Sequence, residues 1–393
     1  MDPIKRKIIF FSFIVIFFAA VPVLILDSMG YKFDVEKRKV VKTGGIFIKA
    51  LPKALTVSID GKIKGETDTF FGSILIENLV PKKYKITLAK EGYLTWEKEV
   101  EVEEGSVTDI KHIILFPQHL NFKQIAENVE TFWIAPDGKG LILKEKENNY
   151  WTLKTFSLDK KLRSYLKGEL DFQKGSELLN VKVDHLTEDI KLTLKIKDRI
   201  KKFNLKLKRP EYQLEEIKDR ENILCKKDNM YFDVEGFLFG NIEKLNIEPL
   251  LNIKECELFL VDGSIFLVSE GNVYFLNDDI FEKKLDNVTS IVISPDAKKV
   301  LFHSENEMWL FEKGAFEFLT RFSNKIKNAA WISENYIMFL IGQELRIFEV
   351  DKKDKWQIYN LSLPPVDEFS FNRINKKIYF KQNDKIFESE PIY

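Results

Sequence analysis

The hydrophobic positions of this chain form two patterns, one continuous and one alternating. The residues from Ile8 to Leu26 carry no charge, follow a basic cluster at positions 5–7 and precede Asp27. At about 1.5 Å per residue, a helix of this length spans about 30 Å, which matches the hydrocarbon core of a bilayer. The run therefore predicts a transmembrane helix, and its basic flank predicts a cytoplasmic N-terminus with the bulk of the chain outside the cytoplasm.

A cleaved signal peptide is the alternative interpretation of this segment. The apolar region of a signal peptide is usually shorter and ends in small residues at the cleavage site. Ala19 and Ala20 form the one suitable pair, yet the apolar run continues past them to Leu26. We therefore expect residues 1–30 to be a cytoplasmic tip and a permanent anchor in the cell membrane, followed by a polar juxtamembrane spacer over 31–43.

Alternating apolar and polar residues begin after Gly45 and predict β-strands for most of the remaining chain. Between 44 and 117, turn residues recur about every 8–12 positions, and Asp60-Gly61 is typical of a tight turn between two strands. Several short strands in so small a segment predict a small antiparallel β-sandwich.

Four short motifs follow one another in this segment: Asp60-Gly61-Lys62, Gly65-Glu66-Thr67, Pro81-Lys82-Lys83-Tyr84 and Lys90-Glu91-Gly92-Tyr93. In this order they resemble the PEGA domain of bacterial and archaeal surface proteins, over roughly residues 44–117. The chain departs from the family pattern at Lys82, where a Gly usually stands, and at Thr67, which no Pro follows. The resemblance implies an extracytoplasmic binding or spacer module without known catalytic machinery.

A strand-turn-strand phrase repeats in the rest of the chain. Residues 132–143 are echoed by residues 291–302, and weaker copies follow at 330–339 and 369–380. The clearest turns read Ala-Pro-Asp-Gly-Lys and Ser-Pro-Asp-Ala-Lys, and this phrase is similar to that of TolB-type and WD40-like propellers.

The spacing of these copies predicts a closed ring. Ser294, Ser333 and Asn372 stand about 39 positions apart, close to the length of one four-stranded propeller blade. A single blade cannot bury its own sheet faces, so the repeat must close on itself. Residues 118–393 then hold about seven blades, with six or eight as alternatives, although turn signals are sparse between 158 and 251. The predicted fold class is thus all-β behind one transmembrane helix, with a PEGA-like sandwich and then a β-propeller.

Composition narrows the class of partner. The chain has 61 basic and 61 acidic residues, and this balance argues against a nucleic-acid binder, which needs a positive excess. Cys225 and Cys256 are too few for a disulfide framework. We expect two separately buried thiols, and pairing outside the cell stays open as the alternative.

Candidate chemistry is sparse. The sequence has no zinc-ligand spacing, phosphate-binding loop, nucleophile elbow or EF-hand loop, and its four histidines stand apart, at His112, His119, His185 and His303. The Asp137 and Asp296 carboxylates lie in Pro-Asp phrases, which are typical of tight turns between strands. We therefore predict no catalytic, cofactor-binding or metal-binding residue.

Two weak candidates for a partner surface remain. One is a locally basic segment that could attract an anionic wall polymer, although a solvated strand face is the simpler interpretation; its residues are Lys195, Lys197, Arg199, Lys201 and Lys202. The other is an aromatic platform of Tyr93 and Trp96. There we favour a structural role, in which Tyr93 closes the sandwich and Trp96 begins a strand whose neighbours Glu97 and Lys98 face water.

These features predict a non-catalytic, membrane-anchored binding or scaffolding protein of the cell envelope, which presents a propeller to a protein or cell-wall glycan partner. The alternative is a propeller-type hydrolase acting on envelope peptide or glycan, whose catalytic residues would be spread over several blades.

Overall fold

The fold is given by a computed structural model, which describes residues 3–35, 37–147, 150–157, 162–167, 175–184, 189–197, 199–208, 211–217, 223–227, 230–233, 238–240, 243–244, 253, 256–351 and 356–393. By internal contacts the chain separates into two compact units. The first comprises Met1–Gln118, Asp351–Trp356 and Tyr393, and the second comprises His119–Val350 and Gln357–Ile392.

Helix α1 occupies Pro3–Ser28. Its segment Ile9–Ser28 is long and apolar enough to cross a membrane, with a mean hydropathy of 3.0, and none of it is buried within the protein. Helical geometry follows from the absence of turn residues, and Pro22 is tolerated near the end of the apolar run. The predicted apolar helix is therefore present.

A hairpin follows the helix at the position predicted to be a spacer. Strand β1, Tyr31–Asp34, pairs antiparallel with β2, Lys39–Lys42. The mixed charges of this segment concealed a period-two pattern in which Asp34 and Val41 are buried. The segment predicted to be a polar spacer therefore contains two paired strands.

Seven further strands complete the first unit: β3 Gly44–Leu51, β4 Thr56–Ile59, β5 Lys62–Glu66, β6 Ser73–Leu79, β7 Lys83–Ala89, β8 Trp96–Glu101 and β9 Val107–Ile114. They form two sheets, in the orders β6-β3-β9 and β5-β4-β7-β8. All neighbours are antiparallel except β3 and β9, which run parallel, so the predicted sandwich is mixed. Asp60 and Gly61 form the β4–β5 turn as expected, both with positive φ.

The second unit contains seven four-stranded sheets among its described residues, numbered here as blades. Strand β10 is Phe122–Ala126, and blades 1 to 3 consist of β11 Val129–Ile134, β12 Gly140–Glu147, β13 Tyr150–Ser157, β14 Leu162–Lys167, β15 Glu177–Asp184, β16 Asp189–Ile196, β17 Arg199–Lys208, β18 Glu211–Ile217, β19 Ile223–Lys227, β20 Met230–Asp233, β21 Leu238–Gly240 and β22 Glu243–Lys244.

Blades 4 to 7 consist of β23 Glu257–Val261, β24 Ser264–Ser269, β25 Asn272–Asn277, β26 Ile280–Leu285, β27 Ser290–Ile293, β28 Lys299–His303, β29 Glu307–Glu312, β30 Ala315–Arg321, β31 Ile326–Ser333, β32 Tyr336–Ile341, β33 Glu344–Glu349, β34 Ile358–Asn360, β35 Glu368–Asn372, β36 Lys377–Gln382 and β37 Lys385–Pro391. Strand β10 supplies the fourth strand of blade 7, in the order β10-β37-β36-β35.

The blades form a ring closed by the start of the unit. First strands of neighbouring blades contact each other, including β27 with β31, β31 with β35 and β35 with β11. Pairing of β10 with β37 means that the last blade cannot be completed without residues from the beginning of the propeller. The predicted number of about seven blades agrees with the seven sheets of the described chain.

The repeated phrase forms the turn between the first and second strands of a blade. In blade 1, Lys139 N donates to Asp137 Oδ1 at 2.9 Å. In blade 5, Ser294 Oγ donates to Asp296 Oδ1 at 2.6 Å and accepts from Lys299 N at 2.9 Å. These Asp carboxylates satisfy turn amides, which confirms their predicted structural role.

Cys225 and Cys256 form a disulfide, with their Cα atoms 5.4 Å apart. Cys225 lies in β19 of blade 3, and Cys256 directly precedes β23 of blade 4. Contact between these two first strands brings the sulfurs together across 31 sequence positions. The expectation of two separate thiols is therefore wrong.

Candidate binding surface

The predicted basic residues gather on one hairpin of blade 2. The β16–β17 register pairs Lys195 with Ile200 and Ile196 with Arg199, so the chain reverses between Ile196 and Arg199. We call Lys195, Lys197, Arg199, Lys201 and Lys202 the basic hairpin. All but Lys201 are exposed, and Lys201 forms an ion pair with Glu216 at 2.9 Å. Ile200 is also exposed beside them, so the tip is both cationic and apolar.

Strand topology places this hairpin on a particular face of the ring. Phe122, where the chain enters β10, pairs with Ser389 near the end of β37. The third strand of a blade therefore ends on the face at which the chain enters the propeller. Since neighbouring strands in a blade are antiparallel, the turn from the first to the second strand lies on that same face. We call this the near face. The β16–β17 turn joins a second strand to a third, so the basic hairpin lies on the opposite, far face.

On the same far face, the turns of blades 6 and 7 are hydrogen-bonded to one carboxylate, that of Asp367. Asp367 Oδ2 accepts from Asn383 N at 2.7 Å in blade 7, and Asp367 Oδ1 accepts from Gln343 Nε2 at 3.1 Å in blade 6. The backbone bond from Asn383 is the main reason that the pKa of Asp367 lies below its usual value. The far face thus carries positive charge at blade 2 and an ionised carboxylate between blades 6 and 7.

The aromatic pair Tyr93 and Trp96 does not form a surface platform. Trp96 is fully buried, so it is unavailable to a partner and that alternative is wrong for this residue. Tyr93 is half-buried and forms a β-bridge with Pro117, while Leu94 N donates to Phe116 O at 2.8 Å. Both residues therefore take part in closing the sandwich.

Lys98 departs from its predicted exposure. It alternates with Glu97 and Glu99 along β8 and shares the inner side with Trp96 and Val100, so only 1% of its surface is exposed. Its Nζ lies 3.7 Å from Asp351 Oδ2 and 5.9 Å from the centre of the Trp96 ring. The carboxylate partner of this buried cation is more than 250 positions away in sequence, which no local pattern indicates.

The histidines do not converge. His303 is buried in blade 5, where its Nδ1 lies 3.0 Å from Ser304 O, and burial lowers its pKa. His112 and His119 are exposed in other elements, and His185 lies outside the described residues. Within the described ranges, no three His, Cys, Asp or Glu side chains group as metal ligands would.

An exposed aromatic loop, which was not predicted from the sequence, precedes β6. Phe70 and Phe71 are 79% and 73% exposed. Asp68 orders this loop because its carboxylate accepts from the backbone amides of Phe70, Phe71 and Ser73 and from the Ser73 hydroxyl. These bonds, led by that from Phe71, hold the pKa of Asp68 well below its usual range. Two adjacent Phe residues between Asp68 and Gly72 were the available signal.

Residues 43–114 match the PEGA domain. The predicted resemblance over 44–117 is thereby confirmed, and these strands are called the PEGA domain below. The resemblance of the propeller phrase to TolB-type and WD40-like repeats stays a prediction.

No curated protein matches the chain in sequence. Solved structures with similar coordinates include a streptogramin B lyase, at 10% identity and a TM-score of 0.44 over 69% of this chain and 97% of that one. Virginiamycin B lyase from Staphylococcus aureus gives 10% and 0.46 over 69% and 99%. A chain of the mitotic checkpoint complex gives 9% and 0.46 over 70% and 94%. Similarities this low say nothing about activity.

Proposed function

We propose that this chain is a single-pass membrane protein whose PEGA domain and propeller lie outside the cytoplasm, where they act as a non-catalytic binding or scaffolding protein of the cell envelope. Helix α1 is long and apolar enough to anchor it. The PEGA match supports an extracytoplasmic location. The Cys225–Cys256 disulfide carries the proposal, because such bonds persist mainly in oxidising compartments.

Flanking charge alone does not set this orientation. Basic residues before the helix favour a cytoplasmic N-terminus, but several also follow it within the β1–β2 hairpin, at Lys32, Lys37, Arg38, Lys39 and Lys42. The disulfide supports the orientation in which the propeller is extracytoplasmic, since a reducing cytoplasm would keep Cys225 and Cys256 as thiols.

Orientation is tested with single introduced thiols. Lys313→Cys lies in an exposed turn of blade 5 and Asp2→Cys lies before the helix, and the native cysteines are paired. In intact cells a membrane-impermeant maleimide should label the Lys313→Cys variant alone, and both variants after permeabilisation. Labelling of the Asp2→Cys variant alone in intact cells would reverse the orientation.

The basic hairpin supports an anionic partner, either an acidic protein or a charged wall glycan. Cations clustered at the tip of one hairpin steer an anionic surface towards the far face, and this attraction weakens as salt screens it. Ile200 adds apolar contact at the same tip. The proposal therefore predicts that binding depends on the charge of the hairpin and on ionic strength.

Cosedimentation of the detergent-solubilised full chain with isolated wall fragments tests binding. Charge reversal by Lys197→Glu with Arg199→Glu should lower the bound fraction about tenfold, the effect of roughly 1.4 kcal/mol. The matched control, Lys298→Glu with Arg373→Glu, reverses two exposed near-face charges and should bind normally. Protease treatment of the fragments separates protein from glycan partners. Equal binding by both variants would contradict the far-face proposal, and breakdown of the fragments would favour the hydrolase.

A further inference from the structure

The β1–β2 hairpin exposes apolar side chains immediately after the membrane-spanning segment. Phe33, Val35 and Val40 are 60%, 78% and 51% exposed, and Met29 between helix and hairpin is 60% exposed. Phe33 and Val40 are directly opposite each other in the antiparallel register, so their side chains lie on the same face. This is an apolar surface on an element otherwise rich in charge.

The hairpin has one inner and one outer face. Asp34 and Val41 are buried on the inner face, where Lys32 Nζ also donates to Asn78 O at 3.1 Å. The opposite positions of the register form the outer face, which comprises Tyr31, Phe33, Val40 and Lys42. Aromatic, aliphatic and basic side chains together are typical of the boundary between lipid acyl chains and headgroups.

The base of the hairpin is tied to the end of the helix. Gly30 N donates to Asp27 O at 3.0 Å, and Gly30 O accepts from both Thr43 N and Thr43 Oγ1, at 2.7 and 2.8 Å. A strand of four residues extends about 13 Å, whereas the headgroup layer is about 5–8 Å thick. A hairpin fixed at the membrane exit is therefore within reach of that layer.

The basic side chains of the hairpin are also suited to contact with a lipid surface. Arg38 is exposed at the turn, and Lys42 is exposed on the outer face. Lipid phosphates are the anions nearest to a membrane exit, and each basic side chain close to an anionic bilayer adds to the attraction. Apolar and basic groups on one hairpin thus complement acyl chains and phosphates respectively.

We infer that the outer face of the β1–β2 hairpin lies in the headgroup region of the membrane, with Phe33, Val35 and Val40 among the upper acyl carbons and Arg38 and Lys42 against lipid phosphates. This rests on the proposed membrane anchor. The hairpin then acts as a collar that orients the PEGA domain relative to the bilayer, instead of a flexible stalk.

Site-specific quenching in vesicles tests the collar. The full chain carrying Val35→Cys is labelled with a fluorophore and reconstituted into vesicles of phosphatidylcholine and phosphatidylglycerol. Phe70→Cys is the matched control, because it is equally exposed but lies next to β6 residues that pair with the opposite end of β3. Nitroxide-bearing lipids should quench the Val35→Cys label at least threefold more than the control, and aqueous iodide should show the reverse.

Two further measurements separate the possible failures. Arg38→Glu with Lys42→Glu should reduce lipid quenching of the Val35→Cys label in vesicles containing phosphatidylglycerol, and reduce it less in pure phosphatidylcholine. If the protein floats with the vesicles but iodide quenches the Val35→Cys label as strongly as the Phe70→Cys label, the collar proposal is wrong and the membrane anchor is still supported. Protein that does not float with vesicles at all would overturn the anchor. Protection of the label in native membranes but not in pure vesicles would mean that a protein covers this face, which also overturns the collar.

Discussion

Blades 7 and 1 are joined through their turns, whereas blades 3 and 4 are joined by a covalent bond. In the first junction, Asn372 Nδ2 donates to Gly138 O at 2.7 Å, and both groups belong to copies of the repeated turn phrase. A similar bond runs from Lys299 Nζ of blade 5 to Glu334 O of blade 6, at 2.9 Å. In the second junction, the Cys225–Cys256 disulfide links β19 to the residue that directly precedes β23.

The difference matches the size of the sheets. Strands β19 to β22 of blade 3 have five, four, three and two residues, whereas β35, β36, β37 and β10 of blade 7 have five, six, seven and five. Shorter strands make fewer ladder bonds and bury less apolar surface. A disulfide compensates by constraining the unfolded chain, while longer blades are held by packing and turn bonds.

Of the changes that test this contrast between junctions, removal of the disulfide should lower the free energy of unfolding most. For a loop of 31 residues, we expect Cys225→Ala with Cys256→Ala to lower the free energy of unfolding by about 3 kcal/mol. The buried cluster of Phe232, Leu258 and Phe281 remains, so blades 3 and 4 should loosen without unfolding the whole ring. Urea unfolding measures the loss, and amide hydrogen exchange should increase in β19 and β23 but not in β27 to β29.

Treating the wild-type chain with a reductant is the control, because it should reproduce both changes without altering the sequence. An equal increase in exchange across blades 3 to 6 would show that the disulfide stabilises the ring as a single unit, and the contrast between junctions would then fail.

The repeated turns of the ring could be predicted because a few neighbouring residues specify each of them. Ser294, Ser333 and Asn372 recur at a fixed interval, and a turn needs only a few neighbouring residues to specify it. The basic hairpin was likewise visible, since Lys197 and Arg199 flank one turn. These predictions needed no knowledge of which blades are neighbours.

What sequence reasoning missed depends on distant contacts. The disulfide requires that blades 3 and 4 be adjacent, in the region where turn signals are sparse. Lys98 is buried although its strand reads as alternating charge, because Asp351 supplies a carboxylate from far along the chain. The β1–β2 hairpin was concealed by charged residues on both strands, although Val41 and Asp34 are buried. The disulfide and the burial of Lys98 depend on partners outside the local window, whereas the hairpin is a local pairing whose pattern the charges obscure.

Asn372→Ala should have an intermediate effect, on the turn-held junction. The Asn372 side chain is almost fully buried; its amide bonds Gly138 O, and its carbonyl accepts from Ile374 N at 2.9 Å. Leaving the buried Gly138 carbonyl without its donor should cost about 1–3 kcal/mol in urea unfolding. The matched control is the exposed neighbour Arg373→Ala, which should stay within about 0.5 kcal/mol of wild type. A loss no greater than that of the control would show that packing alone joins blades 7 and 1.

The smallest expected change in stability concerns the ion pairs of β37, including that with β10, the strand that completes blade 7. Glu388 of β37 pairs with Lys123 of β10 at 3.0 Å and with Lys377 at 3.0 Å. Burial opposes ionisation of Glu388, but bonds from these lysines outweigh it and its pKa lies below the usual value. These ion pairs therefore stabilise the fold fully above pH about 4.3, and this contribution is lost as pH falls through the lower folded-state pKa of Glu388.

Because Lys123 is largely exposed, Glu388→Gln should lower the free energy of unfolding by at most about 1 kcal/mol at pH 7, and by less at pH 3. The exposed Lys385→Gln change on the same strand should show no such pH dependence. If the Glu388→Gln difference is the same at both pH values, the ion pair does not contribute to closure, and the ring is closed by the β10–β37 backbone ladder alone.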